Sequence, residues 1–198
     1  MLKFILHIIN KKIKIKLNKI QNSKILIFDG TSLNDLEFLL EKYEYTVLEN
    51  RFWRIKEVNL SLKTSVELIK NLVCLTLDRK RISLSILYLY TIIKLVKPKV
   101  ILTSVDNSLQ FHQLAKLLHE KIIFFAIQNA NRLDYLNNEY NIKNSLSNID
   151  YNSHIFIPNL ICFGDIEEKL AKKLNLNIKN FLKYGSIRTA NFYYYIDK

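Results

Sequence analysis

The hydrogen-bonding residues of this sequence are gathered where its apolar runs end. The stretch FFAIQNANRLDY, residues 124–135, passes from a buried-strand pattern into Gln128, Asn129, Asn131 and Arg132. Amides in such a place can orient sugar hydroxyls or a neighbouring loop, and a guanidinium offers a planar fork to a phosphate or carboxylate. The plainer alternative is that they satisfy loop carbonyls and cap the next element. KVILTSVDN ends the same way, in Ser104, Asp106 and Asn107. Asp106 can act there as a general base or hold a substrate hydroxyl, provided that it faces a cleft; as helix caps, Asp106 or Asn107 would be structural only. His112, one turn beyond Ser108, is a lone histidine on a helix, a setting more often packed or exposed than catalytic. YGSIRTANF joins Gly185 and Ser186 to Arg188, a combination able to cradle an anion on backbone N–H groups at a helix start.

Stronger signatures are missing from the sequence. It contains no G-x-G-x-x-G or G-x-x-x-x-G-K-[ST] loop, no G-x-S-x-G elbow and no H-E-x-x-H pair. Cys74 and Cys162 stand in apolar surroundings, NLVCLTL and NLICFGD, with no Cys or His at metal-ligand spacing. Both read as small buried hydrophobes of a reducing compartment, and neither a metal nor a cofactor is expected.

These residues need a scaffold, and its elements are legible as alternating short apolar runs and helical periods. KILIF turns at Asp29-Gly30, with Thr31 or Ser32 as a helix cap, and YTVLEN closes a β-α-β unit. Residues 61–77 and 82–97 read as helices, the second stopping before Pro98. KVILTSV, then DNSLQFHQLAKLLHEK beginning at Asp106 or Asn107, then KIIFFAIQN make a second unit whose strands are apolar on both sides. Such strands belong in a parallel sheet covered by helices. Residues 133–154 read as a long polar loop, and two further strand, Gly-turn and helix patterns follow, around Gly164 and Gly185. The expected fold is a doubly wound, mostly parallel α/β sheet of Rossmann-like type. In such sheets ligands bind beyond the carboxyl ends of the strands, which is where the residues above fall.

Composition agrees with one folded unit: 49% hydrophobic and 24% charged over 198 residues. We expect a basic and apolar lead-in over 1–20, suited to an edge strand or to an anionic membrane face, and a single domain over 21–198. The longest apolar stretch, ISLSILYLYTIIKLV, is about 15 residues and contains Lys94, short of the roughly 20 that a spanning helix needs. The net charge of +12 and pI near 9.6 reflect Lys-rich composition throughout, as an AT-rich genome produces. No segment resembles a base-reading helix or stacking platform, so nucleic acid is not the expected partner.

Three segments in order, ILTSVDNSLQFHQLAKLL, IIFFAIQNANR and NLICFGDIEEKLAKKLNLNIKNFLKYGSIRTANFY, resemble a family of bacterial surface carbohydrate biosynthesis proteins that look like two-domain GT-B glycosyltransferases of lipopolysaccharide or capsule assembly. The sharpest elements are Asp106-Asn107 with Phe111, Ile127-Gln128-Asn129 with Arg132, Phe163-Gly164, and Gly185-Ser186 with Arg188. Ala130 departs from the family pattern, which is Gly-like there. The resemblance implies an amino-terminal, acceptor-side half that lacks the carboxyl-terminal donor-binding domain: a gene fragment, half of a split enzyme, or a domain kept for binding. It implies a cytoplasmic protein able to sit against the inner membrane, with Asp106 as a catalytic candidate. Asn107, Gln128, Asn129, Asn131, Arg132, Gly185, Ser186 and Arg188 would be the substrate-binding set. A glycan or lipid-linked saccharide would be the acceptor, and a nucleotide-sugar would bind only with a separate domain. The alternative, from charge alone, is a non-catalytic α/β module contacting anionic membrane or nucleic acid through its basic surface.

Overall fold

A strand apolar on both sides has to be covered on both sides, and the chain achieves this by alternating strands with helices. The computed structural model describes residues 14–17, 20–49, 57–77, 82–129 and 155–196. In chain order the elements are β1 (Lys14–Lys16), β2 (Ile25–Ile27), a 3-10 turn (Gly30–Ser32), α1 (Leu33–Leu40), β3 (Tyr45–Val47), β4 (Glu57–Asn59), α2 (Leu62–Leu77), α3 (Leu84–Val96), β5 (Val100–Thr103), α4 (Leu109–Leu118), β6 (Ile123–Ile127), β7 (Ile157–Cys162), α5 (Asp165–Lys173), β8 (Ile178–Lys183) and α6 (Ile187–Ile196). β1 and β4 form a small parallel ribbon, with Lys16 opposite Asn59. The other strands form a six-stranded sheet in the order β3-β2-β5-β6-β7-β8, every neighbouring pair parallel. This is the doubly wound α/β architecture expected from the alternating pattern. The loop expected over 133–154, and most of the lead-in over 1–20, lie outside the described residues.

The order dictates where the helices go. From β2 the chain steps outward to β3, then returns past β2 to β5 and continues the other way through β6, β7 and β8. Because crossovers between parallel strands are right-handed, the reversal sends α1 and α4 to opposite faces. The packing agrees. Leu26, Phe28, Ile101, Phe124, Ala126, Leu160 and Cys162 meet residues of α3 and α4 in one large cluster, while Ile27 and Ile127 meet Leu36 and Leu40 of α1 on the other face.

Phe111 of α4 is fully buried at the centre of the larger cluster, edge-on to Phe28 at 5.6 Å and to Phe124 at 5.4 Å between ring centroids. α3 is the most enclosed helix, eight of its thirteen residues being buried. Ser83 Oγ caps it by accepting from Ile86 N–H at 3.3 Å. It stops one residue before the expected limit because Lys97, at φ 57°, is its left-handed cap, whose N–H donates to Ile93 O at 3.0 Å. Among the described residues no helix is long and apolar enough to cross a membrane.

Two caps differ from the sequence expectation. α4 starts at Leu109 and is capped by Ser108, whose Oγ accepts from Phe111 N–H at 3.4 Å, not by Asp106 or Asn107. The turn after β2 is capped by Asp29, and Ser32 makes no side-chain cap to α1. Cys162 is buried, but Cys74, on the outer side of α2, is exposed, so only one of the two cysteines is a core residue.

At the far end of the sheet Lys183 of β8 bridges Asp165 at 2.6 Å and Glu168 at 2.7 Å, and Lys172 reaches Glu168 at 2.6 Å. The Lys172 and Lys183 ammonium groups hold the Glu168 carboxyl down at about 2. A carboxyl depressed on folding stabilises above its ordinary value of 4.5 and loses that contribution as pH falls toward about 2. Lys183→Met should therefore move the Glu168 titration part of the way up toward 4.5, Lys172 remaining in place, as read by carboxyl carbon NMR. Phe111→Ala should cost about 3–5 kcal/mol through lost burial and the cavity left behind, measured by urea denaturation.

Candidate functional site

The parallel sheet brings the carboxyl end of every strand to one edge, and the chain's three glycines, Gly30, Gly164 and Gly185, all follow strands there. The crevice expected at the reversal of strand order lies between β2 and β5. Its two walls are the turn 28–32 and the turn 104–108.

The β2 wall is built on Asp29, which is buried. Its Oδ1 accepts from Thr31 N–H at 2.9 Å and from the Thr31 hydroxyl at 2.6 Å, winding the chain into the 3-10 turn that leads into α1. The Ser32 hydroxyl is thereby turned toward β5, where its oxygen accepts from Ser104 N–H at 2.7 Å. This buried bond crosses the switch point and fixes the two walls against each other. The carboxyl group of Glu49, at the end of β3, lies against Gly30 in the space that a β-carbon would fill, so the lack of a side chain at 30 lets Glu49 close over the turn.

The β5 wall is a compact hydroxyl turn. Thr103 Oγ1 accepts from Val105 N–H at 3.0 Å, and Ser108 N–H donates to Val105 O at 3.1 Å. Asp106 is buried within this turn, whereas Asn107 is exposed. Ser108, not Asp106, caps α4. Gln128 and Asn129 continue the same edge from β6. Gln128 is buried, its N–H donating to Ile161 O at 2.9 Å, and Asn129 is half-buried. Asn131 and Arg132 lie outside the described residues.

The carboxyl-terminal residues have a different setting. Gly185 takes φ +82°, a left-handed value that favours glycine, and donates to Cys162 O at 3.2 Å. Ser186 Oγ accepts from Thr189 N–H at 3.3 Å and caps α6. Arg188 forks onto Asp35 of α1, Nε to Oδ1 at 3.1 Å and a terminal nitrogen to Oδ2 at 3.4 Å. Asn191 Nδ2 donates to Asn34 O at 3.3 Å, and the Tyr194 hydroxyl donates to Glu41 Oε2 at 2.7 Å. Arg188 thus clasps α6 to α1, a pairing that sequence reasoning did not reach because its partner is 153 residues away.

Histidine 112, a weak catalytic candidate in sequence, is fully buried with Nδ1 3.2 Å from Phe156 O. It packs from α4 against the entry to β7. Phe111, one of the residues that carry the family resemblance, is likewise core. Sequence reasoning placed Asp29 in the turn after the first strand without giving it a role, and it missed Glu49.

What the edge can do follows from its groups. Residues 28–32, 104–108 and 128–129 present carboxyl, hydroxyl and amide groups and contain no lysine or arginine. In a chain of net charge +12, these described segments of the edge are therefore acidic and neutral. Such a surface suits the hydroxyl groups of a neutral or cationic polyol and repels a phosphate. Among the described residues no group of three or more His, Cys, Asp or Glu could hold a metal ion.

No family model, no curated protein and no solved structure matches this chain. The resemblance to surface carbohydrate biosynthesis proteins therefore stands on the quoted segments.

The Ser32 to Ser104 bond carries a direct expectation. Ser32→Ala leaves the buried Ser104 N–H without its acceptor, at a cost of about 1–3 kcal/mol. The measurement is the shift in unfolding midpoint, together with faster amide exchange at Ser104.

Proposed function

We propose that this chain is the acceptor-side domain of a glycosyltransferase-like protein of surface polysaccharide synthesis, and that its crevice holds a glycan or the saccharide of a lipid-linked acceptor. The observation that carries this reading is the chemistry of the switch-point edge: Asp29, bonded to Thr31, together with Asp106 and Gln128, all three buried, with no cation among residues 28–32, 104–108 and 128–129. Sugar hydroxyls donate well to carboxyl oxygens and exchange bonds with amides, whereas the diphosphate of a nucleotide-sugar needs positive groups. The resembling segments support the same division of labour, with donor recognition left to a separate domain.

In this reading Asp106 accepts from the reacting acceptor hydroxyl and serves as its general base, while Gln128, Asn129 and Asn107 position neighbouring hydroxyls. Ser186 and Arg188 hold α6 in place and so support the edge. Transfer then requires a donor-binding face in addition to this crevice.

The test is calorimetric titration of the purified chain with a panel of oligosaccharides and, separately, nucleotide-sugars. Saturable binding to one class of glycan is expected, with Asp106→Asn weakening it by about tenfold or more, the worth of a hydrogen bond to a charged group. The melting midpoint of that variant should stay within about 2 °C of the parent. A midpoint raised by nucleotide-sugars and not by glycans would place donor recognition here and overturn the assignment; binding untouched by Asp106→Asn would remove Asp106 from the site.

A further inference from the structure

A helix lying on a protein surface ordinarily turns its apolar stripe inward and its polar side to water. α2 departs from this in part. Its inward face carries Leu75 but also the polar Thr64 and Asn71, all three buried. Thr64 Oγ1 bonds Asn59 Oδ1 at 2.9 Å and the Ser61 hydroxyl at 2.8 Å. Asn71 Nδ2 donates to Thr91 Oγ1 of α3 at 3.1 Å, and Lys94 Nζ donates to Asn71 Oδ1 at 3.0 Å. The seam between α2 and α3 therefore includes a satisfied polar network.

The outward face carries Leu62, Val66 and Ile69, spaced four and three apart so that they form one stripe, and these are 83%, 44% and 61% exposed. Val73 continues the register. Lys63 and Lys70 are exposed along one border of the stripe, and Lys70 stands 4.0 Å from Glu67, an open pair with 69% of the lysine side chain exposed.

A second observation lies beside the first residue of this stripe. β4 ends at Asn59, three positions before Leu62, and its partner β1 is the lysine-bearing strand Lys14–Lys16, with Lys16 opposite Asn59. The next residue, Leu17, is 70% exposed. β1, with the exposed Leu17 after it, thus lies near the amino-terminal end of α2. Two copies of a chain carrying +12 repel one another, and lysines bordering the stripe would face lysines across a self-contact. An anionic bilayer surface complements both features at once, taking aliphatic side chains below its headgroups and ammonium groups among them.

We propose that α2, together with the β1–β4 ribbon, is an interfacial anchor that lays the stripe Leu62, Val66 and Ile69 into an anionic lipid surface, with Lys63 and Lys70 on the headgroups. The anchor is separate from the switch-point crevice and does not depend on what that crevice binds.

The test is co-sedimentation of the full chain with vesicles of phosphatidylcholine containing phosphatidylglycerol, and with vesicles of phosphatidylcholine alone. Binding to the anionic vesicles is expected, weakening as salt is raised. Ile69→Glu should weaken it by about tenfold or more, and Lys63→Ala with Lys70→Ala by about tenfold, at roughly 1 kcal/mol for each basic group near the surface. Leu62→Ser with Ile69→Ser provides a milder pair should the glutamate perturb the helix. All these positions are exposed, so the melting midpoint should hold. The proposal is overturned by absent binding, by equal binding to neutral vesicles, or by binding that survives loss of the stripe. A dimer in solution that dissociates in Ile69→Glu would equally overturn it, giving the stripe to a second copy.

Discussion

Parallel pairing is the constraint on which the rest of this molecule depends. Neighbouring parallel strands cannot be joined by a tight turn, so each strand must be followed by a crossover that climbs over a face of the sheet. That one requirement accounts for the α/β alternation, for the double-sided burial of the strands, and for the collection of all carboxyl ends along one edge. It also explains why the polar residues are where they are. Backbone groups emerging from the last ladder bonds need partners, and Asp29, Thr103 and Ser108 supply them within short turns. Asp106 in the second of these turns and Gln128 after β6 are buried along the same edge.

Much of this was readable from sequence because the signals were strong and local. KVILTSV and KIIFFAIQN can only be strands covered on both sides, and Pro98 marks the end of α3 to within a residue. What could not be read depends on residues distant in the chain. Which side chain caps α4 turns on a one-residue choice between Asn107 and Ser108, and the Ser32 hydroxyl crosses to Ser104 over 72 positions. The pairing of Arg188 with Asp35 spans 153 positions. Phe111 stood out in the resembling segments and turns out to be the centre of the core. Periodicity gave α2 its helical period but not its orientation: polar and apolar residues both recur at helical spacing, and only the Thr91 and Lys94 side chains of α3 decide which set faces inward.

Charge in this chain is partitioned. Lysine-rich composition makes the molecule as a whole basic, yet the switch-point turns hold only acidic and neutral groups. A uniform surface reading would have pointed to phosphate or nucleic acid at the cleft. The distribution instead separates a Lys-rich chain as a whole from switch-point turns that hold carboxyl, hydroxyl and amide groups.

The clasp between α6 and α1 also has a consequence in time. The face of the sheet formed by Ile27, Leu36, Leu40 and Ile127 is joined by Ile187 of α6, and α1 contacts residues 153 positions later in the chain. During synthesis at roughly 5–20 residues per second, α1 therefore waits on the order of ten to thirty seconds before its final partner emerges from the ribosome. The opposite face assembles sooner, because α3, β5, α4 and β6 follow one another directly. Assembly is thus ordered by the genetic message itself: one side of the sheet closes early, and the other stays open until α6 has been made.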